Sequence, residues 1–502
     1  MKKHIFFTIF SSLLIFNTSC NNDFDNDVSD IKPSAGEADF SRYVALGNSL
    51  TSGYRDGALF ISGQEESYPA MIAAQMNSAG GGDFKIPFMN DDLGGIPAAG
   101  VSNKLVLSVV NGSLAPVAAS GTATTTLDNI YVQGGYQNMG VPGAKSFHLI
   151  YAGYGNPANL ASGTANSYFV RFASSPNATV LDDAVAQNPT FFSLWVGNND
   201  VLGYATSGGD GSNPITDLSI FQYAYETLVK GLTANGAKGV VANIPSITSL
   251  PFFTTVPYNA LSPQTLTASN PNQIKELNAA FSQLNQVFVY LGHAERQIVY
   301  SETQANPVLI KDKDLENLGG QITAVLTANG VSAQQAALFG QLYGQARQAT
   351  ADDYLVLTSS SVIGKPNTAA ISAGVPATLA INGVTYPLED RWVLSANEAK
   401  NVLAATESFN SIIKNLANQY NLAFADMNAL MVELSKKSGL LYNGVTYTGT
   451  FVTGGTFSLD GVHPNGRGYG FVGNEFIKAI NKKYHSTLAQ VNPNVYTGVV
   501  FP

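Results

Sequence analysis

Cysteine is almost absent: the 502 residues contain one, Cys20. A single thiol excludes a disulfide within the chain and the paired-cysteine spacing of a structural zinc site. Charge is scarce as well. Charged residues make up 12% of the chain, about half the usual share of roughly 25%, and Gly, Ser, Thr and Asn fill the difference. The net charge of −9 leaves no basic stripe for a phosphate backbone, which argues against nucleic acid as a partner. Five histidines include no His-Glu-x-x-His pattern, so neither a metal nor another cofactor is expected. Hydrophobic residues reach 45%, which is ample for a large core. The length fits about three domains of roughly 150 residues, or one core carrying long insertions.

The longest apolar run stands near the start and is too short for a membrane span. "MKKH" is a basic opening, "IFFTIFSSLLIF" an apolar stretch, and "NTSC" ends it in small residues before Cys20. Residues 1–20 therefore read as an export signal. The segment resembles a bacterial lipoprotein signal, with Asn17 where that motif usually has Leu. The resemblance implies a lipid on Cys20, attachment to a membrane surface and a place in the cell envelope, at the outer membrane or cell surface. Residues 21–40 are acidic and without apolar period, and read as a solvated tether. Asp23, Asp25 and Asp27 have calcium-loop spacing, but Val28 stands where that loop needs Gly and Ser34 where it needs Glu. No calcium site is expected.

From residue 41 to 485 apolar strands alternate with helical patterns. Strands are expected at Tyr43–Gly47, before Asn138, and at 190–196, 239–243 and 422–426. Helices are expected at 220–232, 273–291 and 396–420. That alternation predicts an α/β fold, a mostly parallel sheet covered on both faces. Two regions break the rhythm and read as insertions, about 80–135 and 301–390. The first is rich in Gly, Ala, Thr and Ser. The second holds a helical piece at 333–350, a strand at 354–358 and a hairpin at 377–387. Residues 486–502 read as a C-terminal tail.

In an open parallel sheet, reactive groups collect beyond the carboxyl ends of the strands. Past the first strand stands "GNSL", with Ser49. Past the second is "NMGVPGAKS", with Gly140 and Gly143. Past the third is "VGNND", with Asn199, and past the last is "LDGVHP", with Asp460 and His463. A serine hydroxyl needs an adjacent base, a histidine needs a carboxylate to fix its tautomer, and a tetrahedral oxyanion needs donors. Taken singly these residues have plainer uses. Ser49 suits a helix cap, Gly143 a turn after Pro142, Asn199 and Asp200 a cap, and His463 a structural hydrogen bond. Their common placement beyond successive strands favours an acyl-transfer site.

These blocks resemble the SGNH (GDSL-type) hydrolase family, with Ser49, Gly143, Asn199 and His463 at its four namesake positions. Asn48 replaces the Asp of Gly-Asp-Ser-Leu. The resemblance implies a three-layer αβα sandwich with a five-stranded, flavodoxin-like sheet. It implies catalysis by Ser49, Asp460 and His463, with the amides of Ser49 and Gly143 and the Asn199 side chain as oxyanion donors. The substrate would be a small-molecule, lipid or glycan ester. A different class of function, a catalytically silent surface lipoprotein that holds glycan or lipid on the same scaffold, accounts for the export signal equally well. "GVPGAKS" is no P-loop, because Met139 and Ala144 stand where glycines are required. The acidic pairs at 65/66, 182/183 and 352/353 read as solvated charge rather than glycosidase carboxylates. "PFFTTVPY", from Pro251 to Tyr258, reads as core packing before acyl-pocket lining.

Overall fold

Apolar runs with almost no polar interruption become the middle of one sheet. The computed structural model describes residues 32–110 and 112–502; Cys20 and the signal segment lie outside them. Five parallel strands, β1 (Tyr43–Gly47), β2 (Asn138–Gly140), β3 (Phe191–Trp195), β4 (Lys238–Ala242) and β5 (Ala423–Ala425), lie in the order β5-β4-β3-β1-β2. Every residue of β1 and β3 is buried. Burial on both faces explains why these strands read as continuous apolar runs rather than alternating ones. The order reverses between β1 and β3, and a crevice opens outside the carboxyl ends of strands at such a switch point. Gly47 pairs with Trp195 on one side and Gly140 on the other.

Helices cover both faces. On one lie α1 (Tyr68–Asn77) and α6 (Gly466–Tyr484), where the Tyr68 and Phe476 rings stack at 4.6 Å and Trp195 meets Tyr68 edge-on at 5.6 Å. Near the other face, α2 (Asn198–Thr206), α3 (Leu218–Thr233) and α5 (Ala396–Gln419) pack together, with Phe221 stacked on Phe409 at 4.0 Å. Each such aromatic pair contributes about 0.5–1.5 kcal/mol beyond its buried area. Ser395 and Glu398 form a capping box that starts α5, and satisfying both donors fixes where the helix begins. No helix among the described residues is long and apolar enough to cross a membrane.

The insertions differ from expectation in detail. Within 80–135 a hairpin pairs Leu105–Val110 with Ser113–Ala118. Between these strands the sequence reads Asn-Gly, the strongest short hairpin signal a sequence carries, set in a Gly/Thr-rich stretch. Arg171, 2% exposed, ties this insertion to the core by donating to the carbonyls of Phe88 and Thr126.

The second insertion has a hydrophobic core of its own, drawn from residues between Val256 and Val393, wider than 301–390. Helix α4 (Gln273–Tyr290) turns its apolar face into that second core and not onto the sheet. The helix starting at Ala333 ends at Tyr343, and Ala346–Gln348 instead pairs with Leu309–Lys311. There Arg347 meets both Asp312 and Asp353 at 2.7 Å, ion pairs that a continued helix would have to give up. The expected hairpin at 377–387 is a short 3₁₀ turn, Ala377–Leu379, with a single bridge between Asn382 and Tyr386. The segment 486–502 is part of the domain, since Leu488 and Val491 are buried and Thr497 donates twice to Glu66.

Candidate active site

The chain leaves β1 through Gly47 because nothing larger fits there. A Cβ at Gly47 would collide with Thr51 Oγ1 and the Trp195 carbonyl oxygen. The missing side chain lets a short helix, Ser49–Ser52, fold back over the sheet edge. Asn48 caps it, accepting the Leu50 N–H at 3.0 Å and donating to Asn198 Oδ1 at 3.3 Å. Asn48 therefore performs a capping role that an aspartate also fills, and its amide adds a link to the β3 loop. Ser49 stands at the first helical position with only 6% exposure.

The partner groups arrive from the far end of the chain. His463 Nε2 lies 2.8 Å from Ser49 Oγ, and His463 Nδ1 lies 2.9 Å from Asp460 Oδ2. Asp460 Oδ1 accepts the N–H groups of Val462 and His463, both at 2.8 Å. Burial works against an ionised Asp460. The His463 charge facing it, the ring hydrogen bond and the backbone donors outweigh that burial and pull its carboxyl down to about 2. With the carboxylate facing Nδ1, the neutral imidazole carries its proton there and turns a lone pair toward Ser49. The Tyr54 ring packs 4.8 Å from the imidazole, and the Phe252 N–H holds the Gly461 carbonyl at 2.9 Å. Both contacts restrain the loop that carries the histidine.

Gly143 sits three residues beyond β2 with φ of +80°, and a side chain there would enter open space. Glycine takes this left-handed conformation without strain. Neither the Ser49 N–H nor the Gly143 N–H has an acceptor among the described residues. Asn199 Nδ2 donates to the Ala144 carbonyl at 2.9 Å, which leaves its second amide hydrogen free.

Asp200, read from the sequence only as a cap, is a buried clamp. It accepts both the N–H and the hydroxyl of Ser146 at 2.8 Å and so pins the loop that holds Gly143. Two hydrogen bonds from one serine to one carboxylate leave no signature in either local sequence. His148, near the same loop, takes no part. Its Nδ1 accepts the Lys145 N–H, and burial together with the Lys145 charge lowers its pKa to about 4, so it stays neutral.

A cavity opens beside Ser49 and His463. Asn199 lines it, together with an apolar wall that includes Leu50, Leu202, Ile247, Leu250 and Met431. Ser49, Asp460 and His463 are thus joined in one hydrogen-bonded chain, Asn199 lines the same cavity as Ser49 and His463, and Asp460 and Gly143 stand outside its lining. The aromatic segment after Leu250 packs rather than lines: Phe253 belongs to the main core and neither phenylalanine faces the cavity.

No family model matches the sequence. No curated protein matches it. One solved structure, a mutant of an acetyl-xylooligosaccharide esterase from Geobacillus Stearmophilus, is similar over 89% of this chain and 96% of its own, at 10% identity and a TM-score of 0.33. So loose a likeness carries no functional weight.

Proposed function

We propose that the chain is a serine hydrolase of SGNH type that cleaves a carboxylic ester. The observation that carries this reading is the continuous relay Ser49–His463–Asp460, at 2.8 and 2.9 Å, between residues 414 positions apart. His463 Nε2 takes the Ser49 proton as Oγ bonds to the ester carbonyl carbon. The resulting oxyanion accepts from the Ser49 and Gly143 amides and the free hydrogen of Asn199. His463 then returns the proton to the alkoxide oxygen as the carbon–oxygen bond breaks, leaving an acyl group on Ser49. Water, deprotonated by the same imidazole, releases the acid. The apolar cavity wall suits an ester with a hydrocarbon portion.

An organophosphonate probe tests the reading, because it reacts with an activated serine and not with an idle hydroxyl. Ser49 is labelled in the wild-type protein. An unlabelled Ser49 in folded protein overturns the catalytic reading in favour of a lipoprotein that holds glycan or lipid. Asn199→Ala removes one oxyanion donor and lowers kcat by about 10² to 10³ with KM much less affected. An equal loss in KM alone would assign Asn199 to binding.

The placement of Cys20 at the end of an apolar segment extends the proposal to localisation. The mature protein begins at a lipid-modified Cys20 and is held at a membrane surface. The intact mass of the mature protein checks this, and an unmodified cysteine overturns it.

A further inference from the structure

The segment that follows the serine helix reaches the acid of the relay. Arg55 and Ala58 exchange backbone hydrogen bonds at 3.1 Å, closing a tight turn. Its central residues, Asp56 and Gly57, have φ of +53° and +75°. Positive φ at both positions is the demand of a type I′ turn, which an Asp-Gly pair meets at low cost. The turn makes three hydrogen bonds to residues about 400 positions away. The Asp56 N–H donates to Ser458 Oγ at 2.9 Å, Asp56 Oδ1 accepts the Leu459 N–H at 2.9 Å, and the Gly57 N–H donates to Asp460 Oδ2 at 3.0 Å.

Asp460 Oδ2 is the oxygen that also receives His463 Nδ1. The Gly57 amide therefore helps aim that oxygen, and Asp56 fixes the two residues that lead into it. Tyr54 reinforces the turn, since its hydroxyl donates to the Gly57 carbonyl and its ring packs on His463. The Tyr469 hydroxyl in turn donates to the Tyr54 carbonyl at 2.7 Å. Serine and acid are thus connected through two routes, the imidazole and this turn.

We infer that the Arg55–Ala58 turn is a positioning element for the relay, and that Asp56 is its positioning residue. The inference rests on the hydrolase reading and adds a residue to it. Asp56 touches no reacting atom. It acts by holding Ser458, Leu459 and Asp460 in register with the loop that carries Ser49. The charged groups around it are Asp460, Arg55 and Lys104.

The test separates backbone strain from the hydrogen bond. Asp56→Gly accepts the left-handed backbone and loses the acceptor, whereas Asp56→Asn keeps both the acceptor and tolerance of that backbone. In the full-length protein, Asp56→Gly lowers kcat roughly 10²-fold, the scale of a small misplacement of catalytic groups, while KM stays within about twofold of wild type. The downfield proton resonance of His463 Nδ1–H, present in wild type, broadens or vanishes. Asp56→Asn restores both readouts.

Wild-type kcat and an intact resonance in Asp56→Gly overturn the inference. So does an Asn variant as impaired as the Gly variant. If Asp56→Gly fails to fold, Ser458→Ala removes the acceptor of the Asp56 N–H and must weaken the same resonance. A wild-type protein without any ester turnover sinks the hydrolase reading, and the resonance still decides the role of the turn.

Discussion

Ser49→Ala and His463→Ala each abolish turnover of a responsive ester almost completely, a loss on the order of 10⁶ in kcat. The two groups act as one device. Without the imidazole the hydroxyl keeps its proton, and without the hydroxyl the imidazole has no nucleophile to activate. The double variant is therefore little worse than either single one. Both substitutions leave the fold intact, because Ser49 caps no helix itself and Asn48 supplies that cap. His463 also keeps its backbone bonds, the N–H to Asp460 and the carbonyl to Ser458. The measurement is kcat for each folded variant. Wild-type turnover in Ser49→Ala removes the serine from the chemistry.

Asp460→Asn is the second large effect, slowing the reaction by up to roughly 10⁴. An amide at this position still accepts the Val462 and His463 backbone N–H groups through its oxygen. Its nitrogen then faces His463 Nδ1, where the carboxylate accepted a hydrogen bond. The ring answers by moving its own proton to Nε2, which turns a donor toward Ser49 and leaves no base. The Gly57 N–H loses its acceptor in the same exchange.

The pH profile of the wild type has one acid limb, because Asp460, with its carboxyl at about 2, is ionised throughout the range above it. Activity falls when the imidazole takes up a proton, and a rate level down to the carboxylate range excludes a histidine base. The linked stability has a definite sign. A carboxyl at 3.8 in the unfolded chain and about 2 in the folded one contributes about 2 kcal/mol above pH 3.8, lost as the pH falls through 2. Asp460→Asn accordingly lowers Tm at neutral pH, and the gap to wild type closes toward pH 2. A constant gap at all pH values contradicts the depressed carboxyl.

Much of the architecture was legible in the chain. The β1 run is apolar throughout and β3 is broken only by Ser193, so strands buried on both faces follow from composition and length. Asp460 and His463, three positions apart with a glycine between, already imply a turn that brings carboxylate to ring. Helix α4 shows where such reasoning stops. Its periodicity announces an apolar face and is silent on the partner, and the partner is the second core rather than the sheet. Asp200 and Asp56 illustrate a different gap. Each bonds to residues distant in sequence, and a carboxylate that clamps a remote loop looks locally like any solvated acid. The Asp56-Gly57 turn went unread in the sequence, and its hydrogen bonds to Ser458, Leu459 and Asp460 leave no local mark there.

The relay joins residue 49 to residue 463, and that distance along the chain has a consequence for timing. Synthesis delivers the hydroxyl near the start and the imidazole some four hundred peptide bonds later. Every intermediate length of nascent chain therefore carries a serine with no base. Contacts this remote close late and slowly, because loop entropy must be overcome before they are rewarded. The relay is complete only once the two ends of the chain have met.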